Sequence, residues 1–148
     1  MFNVLIIGGG TAGLSCALVL GSAKKQHFAQ DKNIGIITHQ KTSDLQNALF
    51  NNVLGLPPGT TGASLLKDGK EQLKKLYPHV EQLENEKVFE IIKADTLFRV
   101  KTNKNTYQAE LVVIAVGYSN LITIKGLEDY IEPHPRAEQE KHRIWLKN

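Results

Sequence analysis

The sequence predicts an α/β fold built on a parallel sheet, and three features of its 148 residues indicate it. Residues 2–7 and 34–38 are short apolar runs rich in branched side chains, typical of strands buried on both faces. Between them, glycines lead into a helical stripe of leucines that ends near Gly21. Residues 110–116 form a third apolar run, which predicts another fully buried strand closed by Gly117. Strands alternating with a helix in this way favour an α/β fold.

The other elements follow from changes in periodicity. Residues 39–63 lack a regular pattern and predict a long loop, whereas apolar spacing predicts a helix from about Thr61 to Tyr77, stopped by Pro78. Further along, the period changes to that of short strands with turns between them. The expected short elements are strands at 88–92, 97–101 and 106–109, and an amphipathic segment at 137–146 that contains Trp145.

Composition excludes several functional classes. Apolar residues make up 41% of the chain, as in a globular protein, and the net charge of +3 is dispersed, which argues against a nucleic-acid partner. No apolar run approaches the roughly 20 residues that a membrane span needs. The apolar start also lacks the basic region of a signal peptide. We therefore expect a cytoplasmic protein with neither a nucleic-acid nor a membrane partner.

The chemistry-bearing side chains are sparse. The single cysteine, Cys16, excludes an internal disulfide and a CxxC redox pair, and we expect a small buried thiol in the first helix. The five histidines show no metal-ligand spacing, so no metal is expected. No side chain is assigned as a catalytic acid or base. This does not argue against redox chemistry, because a cofactor would carry it.

The turn at residues 8–13, Gly-Gly-Gly-Thr-Ala-Gly, predicts a diphosphate site. A strand, a glycine turn and a helix leave unpaired N–H groups and a partial positive charge facing an anion. Gly8 permits the tight turn, Gly10 leaves room for the diphosphate and Gly13 lets the helix approach the strand. The hydroxyl of Thr11 could add a contact to a phosphate oxygen.

The end of the second strand departs from the usual pattern. An acid normally stands there and binds the adenosine ribose, but this strand ends in Thr38 and His39. A hydroxyl or an imidazole can bind a ribose without the charge assistance of a carboxylate. His39 and Lys41 could instead meet a 2′-phosphate, which would suit NADP.

Residues 4–14 resemble the opening of the thioredoxin reductase-like group of the FAD/NAD(P)-dependent pyridine nucleotide-disulfide oxidoreductase family. Residues 111–117 are similar to the later "ATG"-type strand of that family, with Val116 in place of its threonine. The segment 55–62 and the leucines after it are similar to the loop and helix that the family places after its second strand. The three short strands between 87 and 109 match its β-meander crossover.

The resemblance implies a Rossmann-like three-layer FAD/NAD(P)-binding domain over 1–126, with a parallel sheet and a β-meander crossover. Residues 127–148 would form a C-terminal loop and short helix at the start of a truncated region. The cofactor would be FAD, with NAD(P)H as electron donor. The implied contacts are Gly8, Gly10, Thr11, Ala12 and Gly13 with the diphosphate, Thr38 and His39 near the ribose, Val88 through its backbone with the adenine, and Ala115 and Gly117 along the groove.

The function implied is an FAD-binding oxidoreductase or a fragment of one, which transfers electrons through flavin to a small-molecule or protein partner. The alternative is a non-catalytic adenine-dinucleotide-binding or interaction module, because the chain has neither the CxxC motif nor the ribose acid. An NADP-dependent dehydrogenase ranks last, because little chain remains for a substrate domain. Dimerisation could supply the cover that a flavin ring needs.

Overall fold

A six-stranded mixed sheet forms the centre of the fold in the computed structural model, which describes residues 1–39, 44–117 and 125–126. A separate two-stranded ribbon and two α-helices accompany it. In chain order the elements are β1 (Phe2–Ile7), α1 (Thr11–Ser22), β2 (Ile34–Thr38), β3 (Leu49–Phe50), β4 (Thr60–Thr61), α2 (Gly62–Leu76), β5 (Val80–Glu84), β6 (Val88–Ala94), β7 (Leu97–Thr102) and β8 (Thr106–Ile114).

The parallel half of the sheet has the strand order β5-β2-β1-β8. The strands predicted at 2–7 and 34–38 are confirmed, because their continuous apolar runs are covered on both faces. The predicted helix at 61–77 is also confirmed. It begins after Thr61, whose Oγ1 accepts a hydrogen bond from the Ser64 N–H at 3.1 Å and caps the first turn.

The meander is joined directly to the parallel sheet through β8. Its first part pairs antiparallel with β7 and its second part pairs parallel with β1, so that Ala109 stands opposite both Phe98 and Phe2. The prediction of separate strands at 106–109 and 110–116 was therefore wrong. Full burial was wrong as well: Leu111 is 51% exposed, since the described helices pack mainly over β1 and β2.

Two elements left no clear sequence signal. Strand β5 was not predicted because three of its five residues, Val-Glu-Gln-Leu-Glu, are polar. Among the described strands it pairs on one side only, as the edge strand beside β2. The long loop at 39–63 carries the ribbon of β3 and β4, whose strands are too short to show periodicity. The segment predicted at 137–146 lies outside the described residues.

Two apolar clusters hold three layers together. On one face of the sheet, Ile6 and Ile36 pack with Leu14 of α1 and Leu73 of α2. On the other face, the side chains belong to β1, β2 and the meander: Leu5, Ile7, Ile37, Val88, Ile91 and Val100. Helices, parallel sheet and meander thus form the Rossmann-like three-layer arrangement. Within the described ranges, no helix is long and apolar enough to cross a membrane.

Candidate functional site

The carboxyl ends of the parallel strands meet at one edge, and the glycine turn lies there. The N–H of Gly8 donates to the carbonyl of Ile37 at 2.9 Å, which fastens the turn to β2. The N–H of Ala115 donates to the carbonyl of Ile7 at 2.8 Å, which fastens the residue after β8 to the same turn. This edge is where open α/β sheets bind their ligands.

Two glycines of the turn are required by close backbone packing. Gly8 has a φ of +121°, and a Cβ placed on it would collide with the carbonyl of Ala115. A Cβ on Gly13 would collide with the carbonyl of Gly8. The first glycine therefore permits the turn and the second permits the close approach of α1 to it.

Gly10 differs from both, because its missing Cβ faces open space among the described residues. Its backbone is ordinary, with φ −77° and ψ −175°, and a Cβ there would meet no atom of these residues within 4 Å. Gly10 is the N-cap of α1, and its carbonyl accepts the N–H of Leu14 at 2.9 Å. The empty space thus lies directly at the start of the helix.

The first turn of α1 offers N–H groups that are not used by the described residues. No described side chain caps the helix, and the first turn holds no acidic residue. The side chains of Thr11 and Ala12 are exposed and Gly13 is buried. Free N–H groups and the positive end of the helix dipole together favour a bound anion.

Thr38 ends β2 beside the turn, but its side chain does not face solvent. It is 5% exposed, and its Cγ2 would lie 2.6 Å from a Cβ on Gly9. His39, the next residue, is exposed, and Lys41 lies outside the described residues. Thr38 therefore packs against the glycine turn, and its hydroxyl has no hydrogen-bond partner in the described part of the chain.

Val88 begins β6 in a position that leaves its backbone polar groups unpaired by β7. It stands opposite Thr102, and the flanking Asn103 N–H donates to the carbonyl of Lys87 at 3.0 Å. Because hydrogen-bonded and non-bonded pairs alternate in an antiparallel ladder, the Val88 N–H and C=O point away from β7. The side chain itself is buried at 6% exposure.

The far side of the turn is formed by the residues after β8. Ala115 packs its Cβ 3.5 Å from the position of a Cβ on Gly13. Gly117 is exposed and has a φ of +69°, with open space around its missing Cβ. The structure thus brings Ala115 against the turn, whereas Gly117 lies two residues beyond it and makes no contact of this kind.

Sequence reasoning missed a buried carboxylate, Glu86, between β5 and β6. It is 5% exposed and accepts hydrogen bonds from Thr102 Oγ1 at 2.8 Å and from the Tyr107 hydroxyl at 2.9 and 3.0 Å. Its N–H donates to the carbonyl of Thr38 at 3.1 Å. Burial and the bond to Glu86 raise the pKa of Tyr107. Glu86 thus ties the meander to the end of β2.

The remaining candidates for chemistry are the single thiol and a metal site. Cys16 is half-buried in α1, and burial raises the pKa of its thiol, which keeps it in the less reactive neutral form. Among the described side chains, no group of His, Cys, Asp or Glu could hold a metal ion.

Comparison with known proteins identifies relatives of the fold. The chain is similar to an oxidoreductase from Agrobacterium tumefaciens (27% identity, TM-score 0.65, covering 87% of this chain and 41% of that one). It is also similar to T. acidophilum thioredoxin reductase (26%, 0.62, 87% and 40%). A third similar structure is a ferredoxin-flavin thioredoxin reductase from Clostridium acetobutylicum (26%, 0.61, 87% and 42%). No curated protein matches significantly.

The chain spans about two-fifths of the length of these structures. The family model described as pyridine nucleotide-disulphide oxidoreductase matches residues 2–144, which is almost the whole chain. This match and the glycine turn between parallel strands agree, and the chain therefore belongs to the pyridine nucleotide-disulphide oxidoreductase family.

Proposed function

We propose that this chain is the FAD-binding half of a thioredoxin reductase-like flavin oxidoreductase. The observation that carries the proposal is the open space at Gly10, directly before the free N–H groups of α1. The family match and the thioredoxin reductases among the similar structures support a flavin as the ligand. They favour it over an isolated nucleotide.

The diphosphate would bind at the start of α1. Without a Cβ on Gly10, phosphate oxygens can reach the N–H groups of Thr11 and Ala12, and the Thr11 hydroxyl is exposed beside them. Hydrogen bonds to a charged group contribute about 1.5–3 kcal/mol each, and the helix dipole adds about 0.3–1 kcal/mol. These terms favour binding of the diphosphate at the start of α1 over other parts of the dinucleotide.

The adenosine and flavin halves would extend to opposite sides of the turn. On the β2 side, the outward N–H and C=O of Val88 match the paired acceptor and donor of an adenine edge. Thr38 and His39 lie between the turn and β5, on the route of the ribose. On the β8 side, the flavin half would pass Ala115, which packs against the turn, and Gly117, whose missing Cβ would meet no atom of the described residues.

The protein's own role in this proposal is to bind and orient the cofactor. Bound flavin would accept electrons from NAD(P)H and pass them to an acceptor, which is chemistry that the cofactor supplies. The buried Glu86 holds the β5–β6 connection against β2, and thereby keeps the Val88 backbone in place beside the turn.

Reconstitution tests the proposal. The purified full chain is incubated with excess FAD, freed of unbound ligand by gel filtration and examined for visible flavin absorbance and for a rise in Tm. We expect retained flavin and a rise in Tm. Binding of ADP without retention of FAD would instead support the non-catalytic module. Loss of all flavin together with an unchanged Tm would overturn the proposal.

A further inference from the structure

We propose that Glu84 supplies the carboxylate missing from the end of β2, binds the adenosine ribose hydroxyls and selects against a 2′-phosphate. This inference rests on the proposed binding of an adenine dinucleotide at the glycine turn. It gives Glu84 the role at the ribose that was expected of Thr38.

Thr38 is occupied by packing. Its side chain is 5% exposed and its methyl group packs against Gly9, so the hydroxyl is closed to solvent. Its backbone carbonyl is also used, because it accepts the N–H of Glu86 at 3.1 Å. The end of β2 therefore holds the turn in shape and offers a ligand little.

Glu84 is the register partner of Thr38 on the neighbouring strand. Both are the last residues of their strands, and β2 and β5 run parallel, so both stand at the carboxyl edge of the sheet. Paired residues of adjacent strands share a face and lie about 5 Å apart. Glu84 is exposed, and its carboxylate has no ion-pair or hydrogen-bond partner within the described residues.

The backbone that carries the Glu84 side chain is fixed in place. The chain reverses at Asn85, whose φ is +58°, and the Glu86 N–H then returns to the carbonyl of Thr38. Lys104 Nζ donates to the carbonyl of Glu84 at 2.9 Å. The end of β5 is thus fastened to β2 and to the meander, while the Glu84 side chain remains free.

A carboxylate at this position selects between two ligand classes. It accepts hydrogen bonds from the vicinal hydroxyls of an unsubstituted ribose, and the charge strengthens those bonds. A 2′-phosphate would remove one donor and place a like charge against the carboxylate, which is costly. The chain would therefore bind the adenosine half of FAD or NAD and reject that of NADP.

Calorimetric titration with ADP, 2′,3′-dideoxy-ADP and 2′-phospho-ADP tests the inference on the full chain. For the unchanged protein we expect removal of the hydroxyls to weaken binding by about tenfold or more, as for a hydrogen bond to a charged group. In Glu84→Gln the difference in affinity between ADP and 2′,3′-dideoxy-ADP falls to within about threefold. The loss of affinity caused by the 2′-phosphate becomes smaller as well. Glu81→Gln, the same change on an exposed residue of β5, keeps the discrimination of the unchanged protein.

The outcomes distinguish a role of Glu84 at the ribose from nucleotide binding at the glycine turn. If ADP binds and Glu84→Gln discriminates as strongly as the unchanged protein, Glu84 does not contact the ribose, although the glycine turn still binds nucleotide. If ADP does not bind the unchanged protein at all, the proposed function fails and this inference fails with it. Equal Tm values for the two glutamine variants show that neither result reflects unfolding.

Discussion

The carbonyl of Ala115 occupies the place where a Cβ on Gly8 would stand. This contact joins the start of the glycine turn to the residue after β8, two positions more than a hundred residues apart in sequence. The turn is therefore shaped by the meander strand as well as by its own sequence. A substitution at Gly8 tests what shapes the turn, whereas a substitution at Gly10 tests how the turn binds its ligand.

Gly8→Ala should destabilise the fold strongly. Alanine at a positive φ costs about 1–2 kcal/mol, and the collision with the Ala115 carbonyl adds to this, so we expect a loss above about 2 kcal/mol. Gly10→Ala is the matched control, because its Cβ enters open space at an ordinary φ. Urea unfolding measures both, and equal stabilities would contradict the packing described here.

Leu73→Ala should cost about 2–5 kcal/mol of unfolding free energy. Leu73 is fully buried between α2 and the sheet, so truncation leaves a cavity as well as losing apolar burial. Leu76→Ala, on the same helix, removes a side chain that is 53% exposed and should change stability by less than about 0.5 kcal/mol. A similar cost at both positions would mean that α2 does not pack through Leu73.

Tyr107→Phe should alter how stability responds to alkaline pH. Burial and the bond to Glu86 raise the pKa of Tyr107 in the folded protein above its ordinary value of 10.0, so folding favours the neutral phenol. Its contribution is present below that ordinary value and is lost as pH rises through the folded pKa.

Urea midpoints at pH 8 and at pH 10.5 test this. The unchanged protein should lose more stability between the two values than Tyr107→Phe does, while the variant is less stable at pH 8 because Glu86 loses a donor. Lysine deprotonation affects both proteins alike. An identical pH response in the two would show that Tyr107 does not titrate against Glu86.

Much of the fold is visible in the sequence where a strand is covered on both faces. Residues 2–7 and 34–38 carry continuous apolar runs for this reason. Strand β5 escapes detection because it is an edge strand with polar residues. The sequence predicted two strands where the structure has β8. Ala109 pairs with two different strands, and no local pattern shows this.

Some residues of the site can likewise be recognised in the sequence, and others cannot. Gly8, Gly10 and Gly13 are recognisable because their requirement lies in the backbone of one short turn. Glu84 and Glu86 sit in a polar stretch with no distinguishing motif. Their positions follow only from the pairing of β5 with β2 and from the hairpin that folds over them.

Calorimetric titration of FAD into the unchanged chain, Gly10→Ala and Gly69→Ala shows whether the start of α1 binds the diphosphate of FAD. Gly69 lies in α2, where a Cβ makes only ordinary contact with Leu14 at 3.4 Å. We expect the unchanged chain and Gly69→Ala to bind FAD equally, and Gly10→Ala to bind at least about tenfold more weakly. Its Tm should fall only slightly, because alanine is a poorer N-cap than glycine. Equal affinity in all three proteins would show that the diphosphate does not bind at Gly10.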